Sequence, residues 1–255
     1  MLAVERRAKI AALITENKSV LVQDLSKMFS VTEETIRRDL EKLEKQGILI
    51  KTYGGAVLAE NSKGEISVEI RQEINTKGKD AIGKIAAGMV ADGEVIMLDA
   101  STSALYVAKH IKAKKGLTVI TNSEKIVLEL AGCDDITIIS TGGIFRHKNY
   151  SYVGKTAENV LSGYYATKAF LSCKGLSLAR GLTDSNEQEA DIRKMMIKCS
   201  EKVIALCDHT KFNQAGFINT AGFDDIDCII TDGQLPEGWK EKIESQGVQV
   251  ISDNM

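Results

Sequence analysis

The chain has no run of 18 or more apolar residues, and its N-terminus lacks the charged–apolar–small layout of a secretion signal. Neither a membrane span nor export is expected, and a cytoplasmic protein is. Five cysteines (Cys133, Cys173, Cys199, Cys207 and Cys228) are scattered without a C-x-x-C pair. Three histidines (His110, His147 and His209) show no metal-ligand spacing. These absences argue against a disulfide scaffold and a zinc site, and leave the thiols to the core. No cofactor is expected. Internal repeats and low-complexity tracts are missing too. So is any excess of one charge: the net charge is −2, with ten Lys/Arg against eight Asp/Glu over residues 1–58 and an excess of −4 over the remainder. If such a chain binds nucleic acid, affinity must come from where its basic groups sit.

What the chain does have is 44% apolar residues over a length of 255, enough for one large core or two modest ones. Its most organised stretch runs from Val20 to Ala56. Val22, Leu25 and Phe29 fall at i, i+3 and i+7, and Ile36, Leu40 and Leu43 at i, i+4 and i+7. Each set forms one apolar stripe at the helical period. Ser30-Val31-Thr32 breaks the pattern between them. Thr32 is placed to cap the second helix, with Glu33 and Glu34 in its first turn and Gly47 ending it. A further helix is expected over residues 3–17, with Ile10, Leu13 and Ile14 facing inward. Ile48 to Leu58 reads as a hairpin turning at Gly54-Gly55.

At 100° per residue, Glu34, Arg38, Glu41 and Lys45 point away from the Ile36 direction, and Thr35 and Arg37 flank that line. On its own this is a solvated charged face. On the second helix of a helix–turn–helix it suits the major groove, where arginine bonds phosphate or the guanine edge.

The stretch resembles the N-terminal winged helix–turn–helix of the DeoR family of bacterial transcriptional regulators. The resemblance is carried by Val31-Thr32, by Thr35-Ile36-Arg37-Arg38-Asp39-Leu40, by Leu43 and Gly47, and by Lys51-Thr52-Tyr53-Gly54-Gly55-Ala56. The family usually has Ser at the Thr32 position, Arg at Lys51 and His at Tyr53. Threonine keeps the capping oxygen, and lysine keeps a phosphate contact without the bidentate fork. The resemblance implies that Thr32, Thr35, Arg37, Arg38, Lys51 and Tyr53 contact DNA.

Residues 59–76 are polar and read as a linker, with a short strand at Ile66–Ile70. From Lys77 onward helices alternate with short β-rich apolar runs. Strands are expected at 94–98, 117–121, 136–140, 168–173, 202–207, 227–232 and 248–252. Helices are expected at 78–90 and near 103–113, 123–131, 186–200 and 237–246. This alternation implies an α/β domain, Rossmann-like, with a mostly parallel sheet and helices on both faces.

Ligands in such sheets bind at the strands' carboxyl ends. Asp99-Ala100-Ser101-Thr102-Ser103, Thr121-Asn122-Ser123, Thr141-Gly142-Gly143 and Asp208-His209-Thr210-Lys211-Phe212 all fall there. Hydroxyls and N–H groups at helix starts, with a lysine, suit a phosphate. Taken singly, a Ser or Thr at a helix start is a plain cap.

These loops also resemble the DeoR sensor domain, which is similar to the ribose-5-phosphate isomerase and glucosamine-6-phosphate deaminase fold. Asp99-Ala100-Ser101-Thr102-Ser103 stands where the family has Asp-x-Gly-Thr-Thr, with Ser101 replacing the glycine. The resemblance implies an effector site of Asp99, Ser101, Thr102, Ser103, Thr121, Asn122, Gly142, Gly143, Glu189 and Lys211. Gly181-Leu182-Thr183 and Phe212 also match the family.

The expected organisation is therefore a DNA-binding domain over 1–58, the linker over 59–76, and an effector-sensing and oligomerisation domain over 77–255. The expected protein is a homo-oligomeric repressor, not an enzyme, with operator DNA and a phosphorylated sugar as partners. The alternative is a sugar-phosphate isomerase-like enzyme with an autoregulatory DNA-binding domain, in which Asp99, Asp208, Glu189 and Lys211 do acid–base work.

Overall fold

The structure, a computed structural model, describes residues 1–59, 67–233 and 235–252. The chain divides into two compact units, Met1–Thr76 and Lys77–Met255.

In the first unit α1 (Ala3–Asn17) leads into β1 (Ser19–Leu21), followed by α2 (Val22–Phe29), α3 (Glu33–Lys45), β2 (Leu49–Lys51) and β3 (Gly55–Leu58). The expected stripes meet in one core: Ile10, Ile14, Val22, Leu25, Ile36, Leu40 and Leu43 are buried together with Ile48, Leu49 and Ala56. Thr32 caps α3 by accepting the Thr35 N–H at 3.3 Å. Gly47, at φ 74°, closes it in the left-handed conformation.

The hairpin differs from expectation in two ways. It is joined by β1 into a three-stranded sheet ordered β1-β3-β2. Its glycines are not there for a left-handed turn, since neither Gly54 nor Gly55 has positive φ. Instead Gly55 passes so close to β1 that a Cβ would lie 2.0 Å from the Val20 carbonyl oxygen.

The strand expected at Ile66–Ile70 is a helix. Ile66 lies outside the described residues, and Val68–Glu73 forms α4. Five residues can satisfy both periods. Packing settled it: Val68 and Ile70 are buried, and Ile70 joins the core of the first unit with Ile74 beside it.

The second unit opens with α5 (Thr76–Gly88), β4 (Val95–Leu98), α6 (Thr102–His110), β5 (Leu117–Thr121), α7 (Glu124–Leu130) and β6 (Ile136–Ser140). A hairpin of β7 (Ile144–Arg146) and β8 (Ser151–Val153) follows, then α8 (Lys155–Ser162) and β9 (Ala166–Leu171). Next come β10 (Gly175–Ser177), β11 (Gly181–Asp184), α9 (Glu187–Lys198), β12 (Ser200–Leu206) and β13 (Ile218–Ala221). Finally β14 (Cys228–Thr231), α10 (Trp239–Glu244) and β15 (Gln249–Ser252) complete the described chain.

Seven strands form one sheet in the order β15-β14-β12-β9-β4-β5-β6, and every pairing in it is parallel. Along β4, Ile96 and Leu98 face one buried cluster and Met97 the other, so the sheet has a core on each side. The β7–β8 hairpin, α8 and the antiparallel β10–β11–β13 sheet were not anticipated. Their strands are three or four residues long, too short to print a period.

Strand order reverses between β4 and β9: the chain winds outward through β5 and β6, returns to β9, then winds the other way. That is the switch point, where a crevice opens beyond the carboxyl ends. Among the described residues no helix is long and apolar enough to cross a membrane, and no group of three His, Cys, Asp or Glu could hold a metal ion.

Candidate functional site

Each unit carries its own constellation. In the first, α3 presents Glu33, Glu34, Arg37, Arg38, Glu41 and Lys45 to solvent, as the helical period requires. Arg38 donates from Nε to Glu34 Oε1 at 3.1 Å. Arg37 donates from Nη2 to Glu33 Oε2 at 3.3 Å. Thr35 is half-buried, and its hydroxyl lies 3.0 Å from that of Thr32. Lys51 is tied to α3: its N–H donates to Glu44 Oε1 at 2.8 Å, and its ammonium lies 3.7 Å from Glu44 Oε2. Tyr53 stands fully exposed at the β2–β3 turn. All six residues expected to contact DNA thus lie on α3, its cap or the wing.

Sequence reasoning missed what holds α3 in place. Asp39 is buried on its inner side, with Arg6 Nε at 2.6 Å and Arg7 Nη1 at 3.4 Å. A carboxylate one position from Leu40 was the available signal.

In the second unit, the ten residues expected at the effector site all fall around the carboxyl ends of the sheet. Asp99 ends β4 at the switch point. Its Oδ1 accepts the Ser101 N–H at 3.1 Å, and its Oδ2 accepts the Ser172 N–H at 3.2 Å and Arg193 Nε at 2.7 Å. Asp99 therefore staples β4 to β9, with three of its acceptor positions taken by the protein.

Ser101 has φ −81° and caps α6, its Oγ accepting the Ala104 N–H at 3.0 Å. The backbone there asks nothing of a glycine. Thr102 and Ser103 are buried in the first turn of α6. Thr121 donates to the Leu98 carbonyl at 2.7 Å and accepts the Ser123 N–H at 3.1 Å. Asn122 is 1% exposed; its Nδ2 donates to the Tyr152 carbonyl at 3.0 Å, and its Oδ1 has no partner among the described residues. Gly143 has φ 112°, and a Cβ would meet the Val153 carbonyl oxygen at 2.8 Å.

Glu189 is enclosed by the unanticipated hairpin. Its Oε1 accepts from Arg146 Nη1 at 2.7 Å, from Asn149 Nδ2 at 3.1 Å and from the Ser151 hydroxyl. Burial works to raise its pKa, but Arg193, then Ser151 and Asn149, then Arg146 outweigh burial and leave the carboxyl below its ordinary value. Arg193 follows the same logic with the sign reversed: burial favours loss of the proton, yet Asp184, Asp99 and Glu189 hold the guanidinium charged.

Asp208 ends β12. Burial raises its pKa, but Lys211, then Lys79 and the bonds from Thr210 bring it below the usual aspartate value. Lys211 is half-buried beside it. His209 is held by Asp232, through its N–H at 3.0 Å and its Nδ1 at 2.7 Å.

Arg193, Arg146, Asp184, Ser172 and the buried Lys79 are the partners that sequence reasoning missed. For Arg193 a signal existed, since it shares the inward-facing line of α9 with Glu189 and Met196 at i, i+4 and i+7, and alternates with the buried Ile192. An open depression of about 520 Å³ lies elsewhere, lined by Arg180, Asn219, Phe223 and Gln246 among others. None of the ten strand-end residues lines it.

Comparison with known proteins places both constellations in one context. Residues 74–233 match the DeoR C terminal sensor domain, and residues 6–62 match the DeoR-like helix-turn-helix domain. The chain is 43% identical over 252 residues to an uncharacterized HTH-type transcriptional regulator, YulB, of Bacillus subtilis, covering 99% of this chain and 97% of that one. It is 31% identical over 247 residues to the HTH-type transcriptional repressor GlcR of the same organism, covering 97% and 95%. Among solved structures, a D-ribose-5-phosphate isomerase in complex with phospho-erythronic acid aligns over 52% of each chain, at 16% identity and a TM-score of 0.40.

Proposed function

The chain belongs to the DeoR family of transcriptional regulators, and on that premise we propose that it represses a carbohydrate-metabolism operon and releases its operator when a phosphorylated sugar binds the second unit. The first unit supplies the DNA contacts. Arg37 and Arg38 lie on the exposed face of α3, with Thr32 and Thr35 at its start and Lys51 and Tyr53 on the wing. One such unit reads only a few base pairs, so the working form is a homo-oligomer on repeated half-sites.

The observation that carries the effector half is the Asn122 amide oxygen. A buried acceptor without a donor costs free energy, which a ligand hydroxyl recovers when the loops around Asn122 open to admit it. Around it, the start of α6 offers N–H groups and the Thr102 and Ser103 hydroxyls to a phosphate, and Lys211 offers a positive charge. Asp99, Thr121 and Glu189 orient the loops behind these groups through the bonds they make to the protein. The same fact weighs against acid–base catalysis. Glu189 is held ionised by the charge of Arg193 and by the Ser151, Asn149 and Arg146 donors, which makes it a poor proton acceptor. Release of DNA then requires that the effector bind the DNA-incompetent arrangement more tightly.

The test is a thermal-shift screen of aldose and ketose phosphates on the full chain. A specific ligand at 100 times its dissociation constant adds about 2.7 kcal/mol of stability. Asn122→Leu abolishes that shift, and the same compound weakens operator binding by the wild type. A panel in which no compound shifts the protein or its operator affinity would remove the effector half.

A further inference from the structure

Arg37 and Arg38 are adjacent, both exposed, and each paired four residues back to a glutamate. They are not paired alike. Glu34 takes Arg38 at Nε, on the inner edge of the guanidinium, at 3.1 Å. That bond leaves the two Nη groups outside the pair, as a two-pronged end. Glu33 takes Arg37 at Nη2, one of those two prongs, at 3.3 Å. An arginine held at Nε keeps both Nη groups wholly free as the fork that matches guanine O6 and N7, whereas in Arg37 one of those two groups is shared with Glu33. A fork drawn aside by a carboxylate still suits a phosphate oxygen, which needs no second bond to define it.

Direction supports the same division. Taking Ile36 as inward, Glu34 and Arg38 lie within about 20° of the outermost line of α3, and Arg37 lies about 80° to its side. The outermost line of a helix laid in the major groove meets base edges, and its flank meets a backbone. A carboxylate is repelled by phosphates. Glu34 therefore belongs at the base edges, where its Oε2 is still open to accept from a base amino group.

We infer that Glu34 is a specificity-determining, positioning residue: it holds Arg38 by Nε so that the free fork reads one guanine, while Arg37 clamps phosphate. The inference rests on the DNA-binding reading above and adds which arginine reads sequence and what aims it.

The experiment selects binding sites from a random-sequence duplex pool with the full chain and with Glu34→Ala, Arg38→Ala, Arg37→Ala and the Glu34→Ala/Arg38→Ala double variant. Affinities for the enriched duplex, its guanine-substituted versions and the unselected pool follow at several salt concentrations. Arg38→Ala costs roughly 5–150-fold of the preference at one guanine. Glu34→Ala loses most of that preference while binding the unselected pool as well as the wild type or better, since a negative charge has gone. The double variant discriminates no worse than Arg38→Ala alone. Arg37→Ala weakens all duplexes alike and flattens the log–log salt slope by roughly 1. All three positions are exposed, and unchanged unfolding transitions confirm intact folds.

Wild-type guanine preference in Glu34→Ala overturns the inference, as does its loss in Arg37→Ala or an enriched motif without guanine. A wild type that enriches no sequence from the pool overturns the DNA-binding reading itself, and the inference with it.

Discussion

Single residues in the second unit are held by charge balance in a dry place. Glu189 is 3% exposed and surrounded by Arg193, Arg146, Asn149 and Ser151. Its folded-state pKa lies below the ordinary value of 4.5. Its contribution to stability is therefore complete above that value and lost as pH falls through the lower, folded-state one. Glu189→Gln keeps the shape but removes the buried negative charge that Arg146 and Arg193 face, which costs about 3 kcal/mol at neutral pH. The variant also shows a shallower loss of stability in acid. The slope does not vanish, because Asp208 is shifted in the same direction and remains. Urea unfolding between roughly pH 3 and pH 7 checks both statements, and parallel curves for variant and wild type would contradict the second.

At the scale of elements, the wing shows how a strand pair can depend on the absence of one side chain. Gly54 and Gly55 look equivalent in sequence, and a turn was expected of both. Only Gly55 is pressed against β1, where it sits opposite Leu21 with the Val20 carbonyl 2.0 Å from any Cβ. Nothing lies within 4 Å of a Cβ on Gly54. Gly55→Ala must push β3 off β1 and is expected to cost about 1–3 kcal/mol. Gly54→Ala is expected to stay within roughly 0.5 kcal/mol of the wild type. Circular-dichroism melts of the two variants separate them, and equal melting points would show that the wing yields at no cost. Element α4 carries a related lesson. Val68 and Ile70 are two apart and Ile74 four further on, so the segment satisfies a strand over its first half and a helix over its whole length. Contact with the first unit's core decided between them.

For the whole molecule, the question is where a functional unit ends. The polar composition after Leu58 suggested a linker, yet α4 buries two residues and the first compact unit extends to Thr76. A fragment of residues 1–76 should therefore fold with a higher melting point than one of residues 1–58. The shorter fragment forgoes the burial of Ile70, worth roughly 1.5–3 kcal/mol. The longer fragment should still bind operator far more weakly than the full chain. Joining two DNA-binding units through the second unit raises overall avidity by roughly 10²–10⁴. Equal melting points would return α4 to the linker. Equal operator affinities at one salt concentration would dispose of the oligomer.

Much of this architecture is a property of near neighbours in the chain. The stripes at Val22–Phe29 and Ile36–Leu43, the Thr32 cap and the Gly47 terminus are set by residues within about two helical turns of each other, and periodicity reports them directly. The α/β alternation from Lys77 onward is legible for the same reason, and with it the expectation that ligand-binding loops follow the strands. Partnership is another matter. Arg193 reaches Asp99 across 94 positions and Ser172 reaches it across 73, while the Glu189 donors come from a hairpin 38 to 43 positions away. No local pattern encodes such pairs, because each is required only once the chain has folded and water has been removed from both groups. Burial therefore surrounded Asp99 and Glu189 with donors from distant elements, and the same packing left the Asn122 oxygen without a donor.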